Sequence, residues 1–306
     1  MARHARTLVL GEALVDIVHG VDGSVTSHPG GSPLNVAIGL ARLDHPVELA
    51  SYIADDEHGA AIVRHLEADG VPLADGSVSA SRTPTATATL DQSGSATYDF
   101  DLSWAVSTLP TAYEHLHTGS IAAVLQPGAS GVREAMEQAR THATVSYDPN
   151  ARPSLMGDPH EIRSDIEQLV GFSDVVKASD EDIRWLYGDD APLTEILRLW
   201  SQLGPPLVVM TRGGDGALAH LDTESDVIEV PGLTVEVADT VGAGDSFMSG
   251  LISGLLDAGL LGGPDARARL RTAHADDVRP ALDRAARASA ITVSRAGAQP
   301  PTRAEL

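Results

Sequence analysis

Val132-Arg133-Glu134-Ala135-Met136-Glu137-Gln138-Ala139-Arg140-Thr141-His142, then Thr144-Val145-Ser146-Tyr147, then Ile162-Arg163-Ser164-Asp165-Ile166-Glu167-Gln168-Leu169-Val170, then Asp174-Val175-Val176-Lys177: this stretch switches twice between two hydrophobic periods. The longer segments show helical spacing, and the short β-branched or apolar runs read as buried strands. Outward from it, residues 7–10, 47–53 and 207–211 read as further buried strands, and 34–42 and 57–69 as further helices. Alternation of this kind implies a parallel sheet flanked by helices, an α/β fold.

Residues 83–104 break the rhythm. Thr85-Ala86-Thr87-Ala88-Thr89-Leu90 alternates with period two, Asp91-Gln92-Ser93-Gly94 supplies a turn, and Ser95-Ala96-Thr97-Tyr98-Asp99-Phe100 returns, so a hairpin is expected. A second hairpin is expected over 13–27, turning near Val21-Asp22-Gly23-Ser24. Two inserted hairpins can pair into a small sheet that covers a site. The expected division is an α/β core of residues 1–12, 28–82 and 105–306, with a β lid of residues 13–27 and 83–104.

With 306 residues the chain can bury a substantial core, and without cysteine it has neither disulfides nor thiolate metal sites, which suits a reducing cytoplasm. Thr7-Leu8-Val9-Leu10 is too short for a signal-peptide core, and no apolar run is long enough to span a bilayer. A cytoplasmic protein with no membrane partner is the expectation. The formal charge of −22 argues against a nucleic-acid partner, which needs the opposite sign over a broad face. Any phosphate here must be held by backbone amides, helix N-termini and metal more than by a basic patch. None of the twelve histidines falls in a His-x-x-x-His or comparable ligand spacing.

The strongest chemical signal is Asp239-Thr240-Val241-Gly242-Ala243-Gly244-Asp245-Ser246-Phe247. Its small residues let amides converge on an anion, and Phe247, Leu251, Ile252 and Leu255 then mark one face of a helix. Free amides and a helix dipole at one point suit a phosphate, although an aspartate there also reads as a helix cap. Gly30-Gly31-Ser32-Pro33-Leu34-Asn35 opens another helix close to Asp16, a carboxylate within the apolar segment 13–18. Asp16 is either an outward strand residue or an acceptor for substrate hydroxyls.

On these motifs the chain resembles the ribokinase/PfkB family of carbohydrate kinases, and most closely its fructokinases. Gly11-Glu12-Ala13-Leu14-Val15-Asp16-Ile17 resembles the fructokinase opening strand; residues 30–35 and 239–247 resemble the two family signatures. Asp148-Pro149-Asn150-Ala151-Arg152-Pro153, Val176-Lys177-Ala178-Ser179-Asp180-Glu181-Asp182, Thr211-Arg212-Gly213-Gly214-Asp215-Gly216 and residues 292–301 resemble further segments, in family order. The departure is at 179–182, where Ser-Asp-Glu-Asp stands for the common Asn-x-x-Glu.

The resemblance implies a ribokinase-like three-layer α/β/α domain with a mainly parallel sheet and a small β-sheet lid. It implies transfer from ATP to a sugar hydroxyl, with Asp245 as base and an anion hole at Gly242, Ala243, Gly244 and Asp245. Asp16, Gly30, Gly31, Asn35 and Asn150 are then sugar contacts, and Arg152 pairs with phosphate or else lies in a surface ion pair. Phe100 and Trp104 line the sugar or form lid core. Lys177, Ser179, Thr211, Gly213, Gly216, Gly242 and Gly244 serve the nucleotide, and Mg²⁺ binds through water at Glu181 or Asp182. Asp239, Val241 and carbonyls from Val293 to Gly297 make a K⁺ site, with a turn cap as the other reading of Asp239. Relatives also imply a homodimer through the lid.

Fructose is the expected acceptor. Two alternatives stay open: a kinase of the same fold acting on 2-keto-3-deoxygluconate, ribose or a nucleoside, and a non-catalytic sugar-binding regulator. A phosphorylated sugar is disfavoured, because residues 11–35 supply only His19 and His28 as cations.

Overall fold

In the computed structural model, which describes residues 5–90 and 96–306, the apolar runs pair edge to edge into one central sheet. Numbered along the described chain, the strands are β1 (Thr7–Leu10), β2 (Leu14–His19), β3 (Val25–Gly30), β4 (Val47–Ala50), β5 (Thr85–Leu90) and β6 (Ala96–Asp101). They continue as β7 (His115–Gly119), β8 (Thr144–Asp148), β9 (Val175–Ser179), β10 (Leu207–Thr211), β11 (Ala217–Leu221) and β12 (Ile228–Val230). The central sheet runs β12-β11-β10-β9-β8-β7-β1-β4, parallel from β10 to β4 and antiparallel at β11 and β12. The smaller sheet runs β3-β2-β5-β6.

Alternate side chains of each parallel strand enter two cores, as the pleat requires. Val9 of β1 and Val209 of β10 join Leu34, Ile62, Met248 and Leu282 from helices Ser32–Arg42, Glu57–Ala68, Ala243–Asp257 and Ala275–Val293. Leu8, Leu10, Val208 and Met210 face the other way, onto helices Gly128–Ala139, Pro159–Gly171 and Leu193–Leu203. The result is the three-layer α/β/α arrangement, with the smaller sheet standing apart from the layers. No helix of the described residues is long and apolar enough to cross a membrane.

Local chemistry explains the element ends. Pro33 opens the first helix at a position where its missing amide costs nothing. Asp56 caps the Glu57–Ala68 helix through Gly59 and also receives the Thr83 amide at 2.9 Å, so it ties that helix to the entry of β5. The run expected as a strand over 47–53 pairs continuously only to Ala50, and Ile53 rejoins by one bridge to Val78. β3 continues to Gly30, past residue 27 where the core was expected to resume. The turn expected at 91–94 lies outside the described residues.

β7 reads His-Leu-His-Thr-Gly and is nonetheless buried at every position. His115 bonds Thr144 Oγ1 at 2.9 Å and Ser146 Oγ at 3.0 Å, and His117 shares Ser146 Oγ at 2.9 Å. The hydroxyls of β8 thus satisfy the ring nitrogens that burial takes from water. Burial pushes both imidazoles down to about 3, with the neighbouring His117 adding to the effect on His115 and Lys177 adding to that on His117.

A depressed histidine value means the unfolded chain binds the protons, so this stability is complete above pH 6.5 and lost as pH falls toward 3. Two buried carboxyls, Glu12 raised to about 7 and Asp148 raised to about 6, act with opposite sign above their ordinary values and mask the loss down to about pH 4.5. Below that, with Asp148 still offsetting one histidine down to its ordinary 3.8, stability should fall by about 1.4 kcal/mol per pH unit, and by about twice that beneath it. Denaturant titrations between pH 7 and 3.5 check this. An acid slope unchanged in the His115→Gln/His117→Gln double variant would show that other groups carry it.

Candidate active site

Five neighbouring parallel strands end on one side of the sheet, and each delivers a polar group there. Glu12 follows β1, Ser120 follows β7, Asn150 and Arg152 follow β8, Ser179 to Asp182 follow β9, and Thr211 to Gly216 follow β10. Open α/β sheets place ligands at such carboxyl ends. All these segments line one cleft of about 1160 Å³, whose other walls are the Gly242–Asp245 loop and residues Leu14, Asp16, Ala86 and Phe100 of the smaller sheet. That exceeds the roughly 300–1,000 Å³ of a typical single-ligand pocket.

Asp245 lies at the middle of the cleft and is 8% exposed. Its Oδ1 accepts from Ser32 Oγ at 2.6 Å and its Oδ2 from Asn35 Nδ2 at 2.8 Å. The two glycine-led helices, starting at Ser32 and Ala243, therefore meet at this carboxylate. Gly242 is the N-cap of the second, in the left-handed region at φ 75°, and a Cβ there would lie 2.6 Å from that of Ala298. Glycine is thus required twice over. Of the four residues expected to form the anion hole, Gly242 to Asp245, the Ala243 amide leans on the Thr240 carbonyl at 3.3 Å.

Lys177 reaches up from β9 beneath this loop. Its Nζ lies 2.7 Å from Asp148 Oδ2, with both side chains nearly sealed from solvent, and a Cβ on Gly244 would lie 3.1 Å from it. Burial works against the ammonium, but Asp148, Asp182 and Asp245 together outweigh it and raise Lys177 above its ordinary value. Burial likewise raises Asp148 to about 6, less than it otherwise would because Lys177 opposes it.

The structure separates the two acids expected at the metal. Asp182 spends one oxygen on the Ala151 amide and the other on the Ser179 amide, both at 2.7 Å, and closes a capping box with Ser179. Glu181 is exposed, lines the cleft and has no hydrogen bond among the described residues. Arg152 is exposed and donates to Asn150 Oδ1 at 2.9 Å and to the Ala151 carbonyl at 3.0 Å; Asn150 adopts a left-handed φ of 39°.

From the smaller sheet, Asp16 pairs across β2–β3 with His28, and burial raises its carboxyl against the pull of His28 and Arg152. Gly30 does not line the cleft itself; a Cβ there would lie 2.5 Å from Asp16 Oδ2, so it makes room for that carboxylate. Gly31, φ 115°, does line it. Phe100 faces the cleft, whereas Trp104 does not. The indole is 4% exposed and packs in the core with its Nε1 on the Ala122 carbonyl at 2.9 Å, because the chain has left the smaller sheet before it. A sugar contact by Trp104 is thereby corrected.

Thr211, Gly213 and Gly216 line the far end, next to an apolar wall of Val235, Val237, Ala286, Ala290 and Val293. Asp239 does not line the cleft. It joins the loop to the C-terminal segment, accepting from the Val241 amide at 3.0 Å and the Gly297 amide at 2.8 Å, bonds that hold its carboxyl below the usual range. The Val293 carbonyl takes the amides of Ala238 and Asp239.

Sequence reasoning passed over Ser32 and Glu12. Ser32 stands inside the Gly30–Asn35 signature, which was the available signal. Glu12 is 6% exposed, lines the cleft, and accepts the Ala122 amide on Oε2 at 3.1 Å with Ser120 as a second partner. Burial pushes it up to about 7, partly opposed by those bonds and by Arg152.

The likeness to known proteins spans nearly the whole chain. Residues 5–305 match the family described as pfkB family carbohydrate kinase. A fructokinase of Escherichia coli is 33% identical over 316 residues, covering 99% of this chain and 98% of that one. A fructokinase double mutant of Vibrio cholerae O395, in fructose, ADP and potassium ion bound form, superposes with a TM-score of 0.79 at 28% identity, covering 96% of this chain and 94% of that one. Aminoimidazole riboside kinase of Salmonella enterica, complexed with aminoimidazole riboside and an ATP analog, superposes with a TM-score of 0.78 at 25% identity, covering 96% and 95%.

Proposed function

The chain belongs to the pfkB family of carbohydrate kinases, phosphotransferases with an alcohol group as acceptor, and from that membership we propose that it phosphorylates free fructose to fructose 6-phosphate with ATP. The observation that carries the reading is Asp245, fixed by Ser32 and Asn35 beside the Gly244 and Asp245 amides and facing the Asp16 side of the smaller sheet. A carboxylate with both oxygens oriented accepts a hydroxyl proton in place, and phosphoryl transfer asks little more of a base. The Gly244 and Asp245 amides and the Lys177 ammonium stabilise charge on the migrating group. Asp16, Asn35 and Asn150 hold the other hydroxyls, and Phe100 covers a ring face. Arg152 answers phosphate charge from the rim. The nucleotide lies along Ser179, Thr211, Gly213 and Gly216, its base against the Val235–Val237 wall. Acids rather than cations dominate the sugar end, which favours a free sugar over a phosphorylated one.

Mg²⁺ fits Glu181, whose carboxylate faces the cleft while both oxygens of Asp182 are taken by amides. Bound there through water, it would neutralise phosphate charge. K⁺ fits the loop beside the C-terminal segment, with the Val241 carbonyl and carbonyls between Ser294 and Gly297 as donors; Asp239 shapes that loop through the Val241 and Gly297 amides, and the Val293 carbonyl already accepts from Ala238 and Asp239. Replacing Na⁺ or tetramethylammonium by K⁺ at constant ionic strength should raise kcat several-fold; constant ionic strength matters because so acidic a chain responds to screening. Equal rates in K⁺ and tetramethylammonium, unaffected by Asp239→Ala, would leave Asp239 as a turn cap. Pairing of the smaller sheet between two copies is proposed from its unpaired β3 edge and the exposed Val21 and Val25, and sedimentation tests it.

The test of substrate is an ADP-release assay over free sugars, 2-keto-3-deoxygluconate and ribosides. Fructose should give the highest kcat/KM. A riboside preferred over fructose would turn the assignment toward the second reading, which the likeness to aminoimidazole riboside kinase supports. No turnover of any acceptor would leave a sugar-binding regulator.

A further inference from the structure

Both stems of the smaller sheet are tied to one residue of the core, Ala122, through its two flanking peptide groups. Glu12, in the link from β1 into β2, accepts the Ala122 amide at 3.1 Å. Trp104, just beyond β6, donates to the Ala122 carbonyl at 2.9 Å. Both ties are buried, and the indole is wedged so closely against Gly128 that a Cβ there would overlap it. Ala122 belongs to the single turn Ser120–Ala123 that closes β7. The turn continues to the acceptor end of the cleft. Ser120 bonds Glu12 and receives Asn150 Nδ2 at 3.5 Å, and Asn150 Oδ1 holds Arg152 at 2.9 Å. Ser120 and Asn150 both sit in the left-handed region, at φ 55° and 39°. Side chains in that region are strained and persist only where their surroundings over-determine them. The two ties and the Ser120–Asn150 contact supply that constraint.

We propose that Glu12 and Trp104 are positioning residues that gear the smaller sheet to the acceptor edge through the backbone of Ala122. The seating of the sheet over the cleft is set by the same turn that sets Ser120, Asn150 and Arg152. An acceptor engaging Asn150 therefore draws on both stems, and a sheet settling onto an acceptor presses the same turn. Losing either tie leaves a buried amide or carbonyl of Ala122 without a partner, so the turn must shift. The proposal rests on the reading of this cleft as a sugar kinase site with the sugar beneath the smaller sheet.

The test uses steady-state kinetics of the full chain with the acceptor that the wild type turns over best. Glu12→Ala should raise the acceptor KM about tenfold while the KM for ATP stays within about twofold. Glu12→Gln should recover most of the loss, because its carbonyl still accepts from Ala122 and its amide donates to Ser120. Trp104→Phe, which keeps the ring and removes the N–H, should move the same KM in the same direction. The Glu12→Ala/Trp104→Phe pair should cost less than the product of the two, since both act on the adjoining peptide groups of one residue in one short turn. Acceptor-induced hydrogen-exchange protection in 14–30, 85–90 and 96–101 should weaken in parallel. Equal effects on both KM values, no effect on the acceptor KM, Glu12→Gln as impaired as Glu12→Ala, or multiplicative effects in the pair would each overturn the gearing. If Glu12→Ala fails to fold, Glu12→Gln and Trp104→Phe carry the comparison. A wild type that turns over no acceptor overturns the kinase reading itself, whereas turnover with unaltered variants overturns only the gearing.

Discussion

Asp245→Asn should lower kcat by ~10²-fold or more, the scale expected when a positioned base is removed. The substitution is isosteric, and the surroundings tolerate it: Ser32 can turn its hydroxyl to accept from the new amide while Asn35 keeps its carbonyl partner. The lost favourable interactions with the helix N-terminus, about 0.3–1 kcal/mol, and with the Lys177 ammonium are offset in part by relief of repulsion with the nearby Asp148 carboxylate. Thermal stability and ATP affinity should therefore stay close to wild type. Calorimetric titration with ATP, beside single-turnover phosphoryl transfer, separates binding from chemistry. A variant that kept more than about a tenth of wild-type kcat would remove Asp245 from the role of base.

Lys177→Met should be the most damaging single change to stability near the cleft, costing about 3–5 kcal/mol. The side chain is of similar length, so little packing is lost. What is lost is the ammonium that Asp148, Asp182 and Asp245 surround, and Asp148 is left charged without its cation at 2.7 Å. The sign with pH follows. A carboxyl whose folded value is raised loses stability as pH rises, and removing Lys177 raises Asp148 beyond its present value of about 6. The deficit should therefore shrink as pH is lowered toward 5 and be largely relieved by adding Asp148→Asn. Phosphoryl transfer should not recover in that pair, because the ammonium under Gly244 is still missing. Urea denaturation at pH 5 and 8 provides the test. A deficit independent of pH and of Asp148→Asn would show that Lys177 acts by packing alone.

The parts of this fold legible in the sequence are those where one period dominates. β10 at 207–211 and the helix at 57–68 were readable because their apolar residues repeat without interruption. β7 was not, since His115 and His117 look polar until Thr144 and Ser146 of the next strand are placed beside them. Its burial is a property of two strands, not of one. At the site, Asp245, Asn35, Asp16 and Lys177 were legible because their motifs are local. Trp104 was misplaced because an aromatic at a strand end packs wherever the chain turns next. Glu12 was passed over because its partners lie more than a hundred residues away, at Ala122. Glu181 and Asp182 could not be told apart in sequence, because the capping box that commits the third residue of the helix to backbone appears only once Ser179 and Asp182 are placed together.

The smaller sheet has a consequence for chimeras. Its two hairpins are held together by the parallel ladder of β2 on β5, from Val15–Thr85 to His19–Thr89, yet β4 and two core helices lie between them in the chain. It is therefore no cassette: the shortest contiguous segment that contains it, residues 14–101, also carries β4 and two core helices, so no crossover transplants it alone. A hybrid with a relative that exchanges residues 85–90 alone would set a foreign strand against the resident β2, leaving the ladder's cross-strand contacts unmatched. Substrate range in this architecture should therefore drift by paired changes in two distant stretches of sequence, and recombination that respects those pairs should yield more active hybrids than recombination at domain-like boundaries.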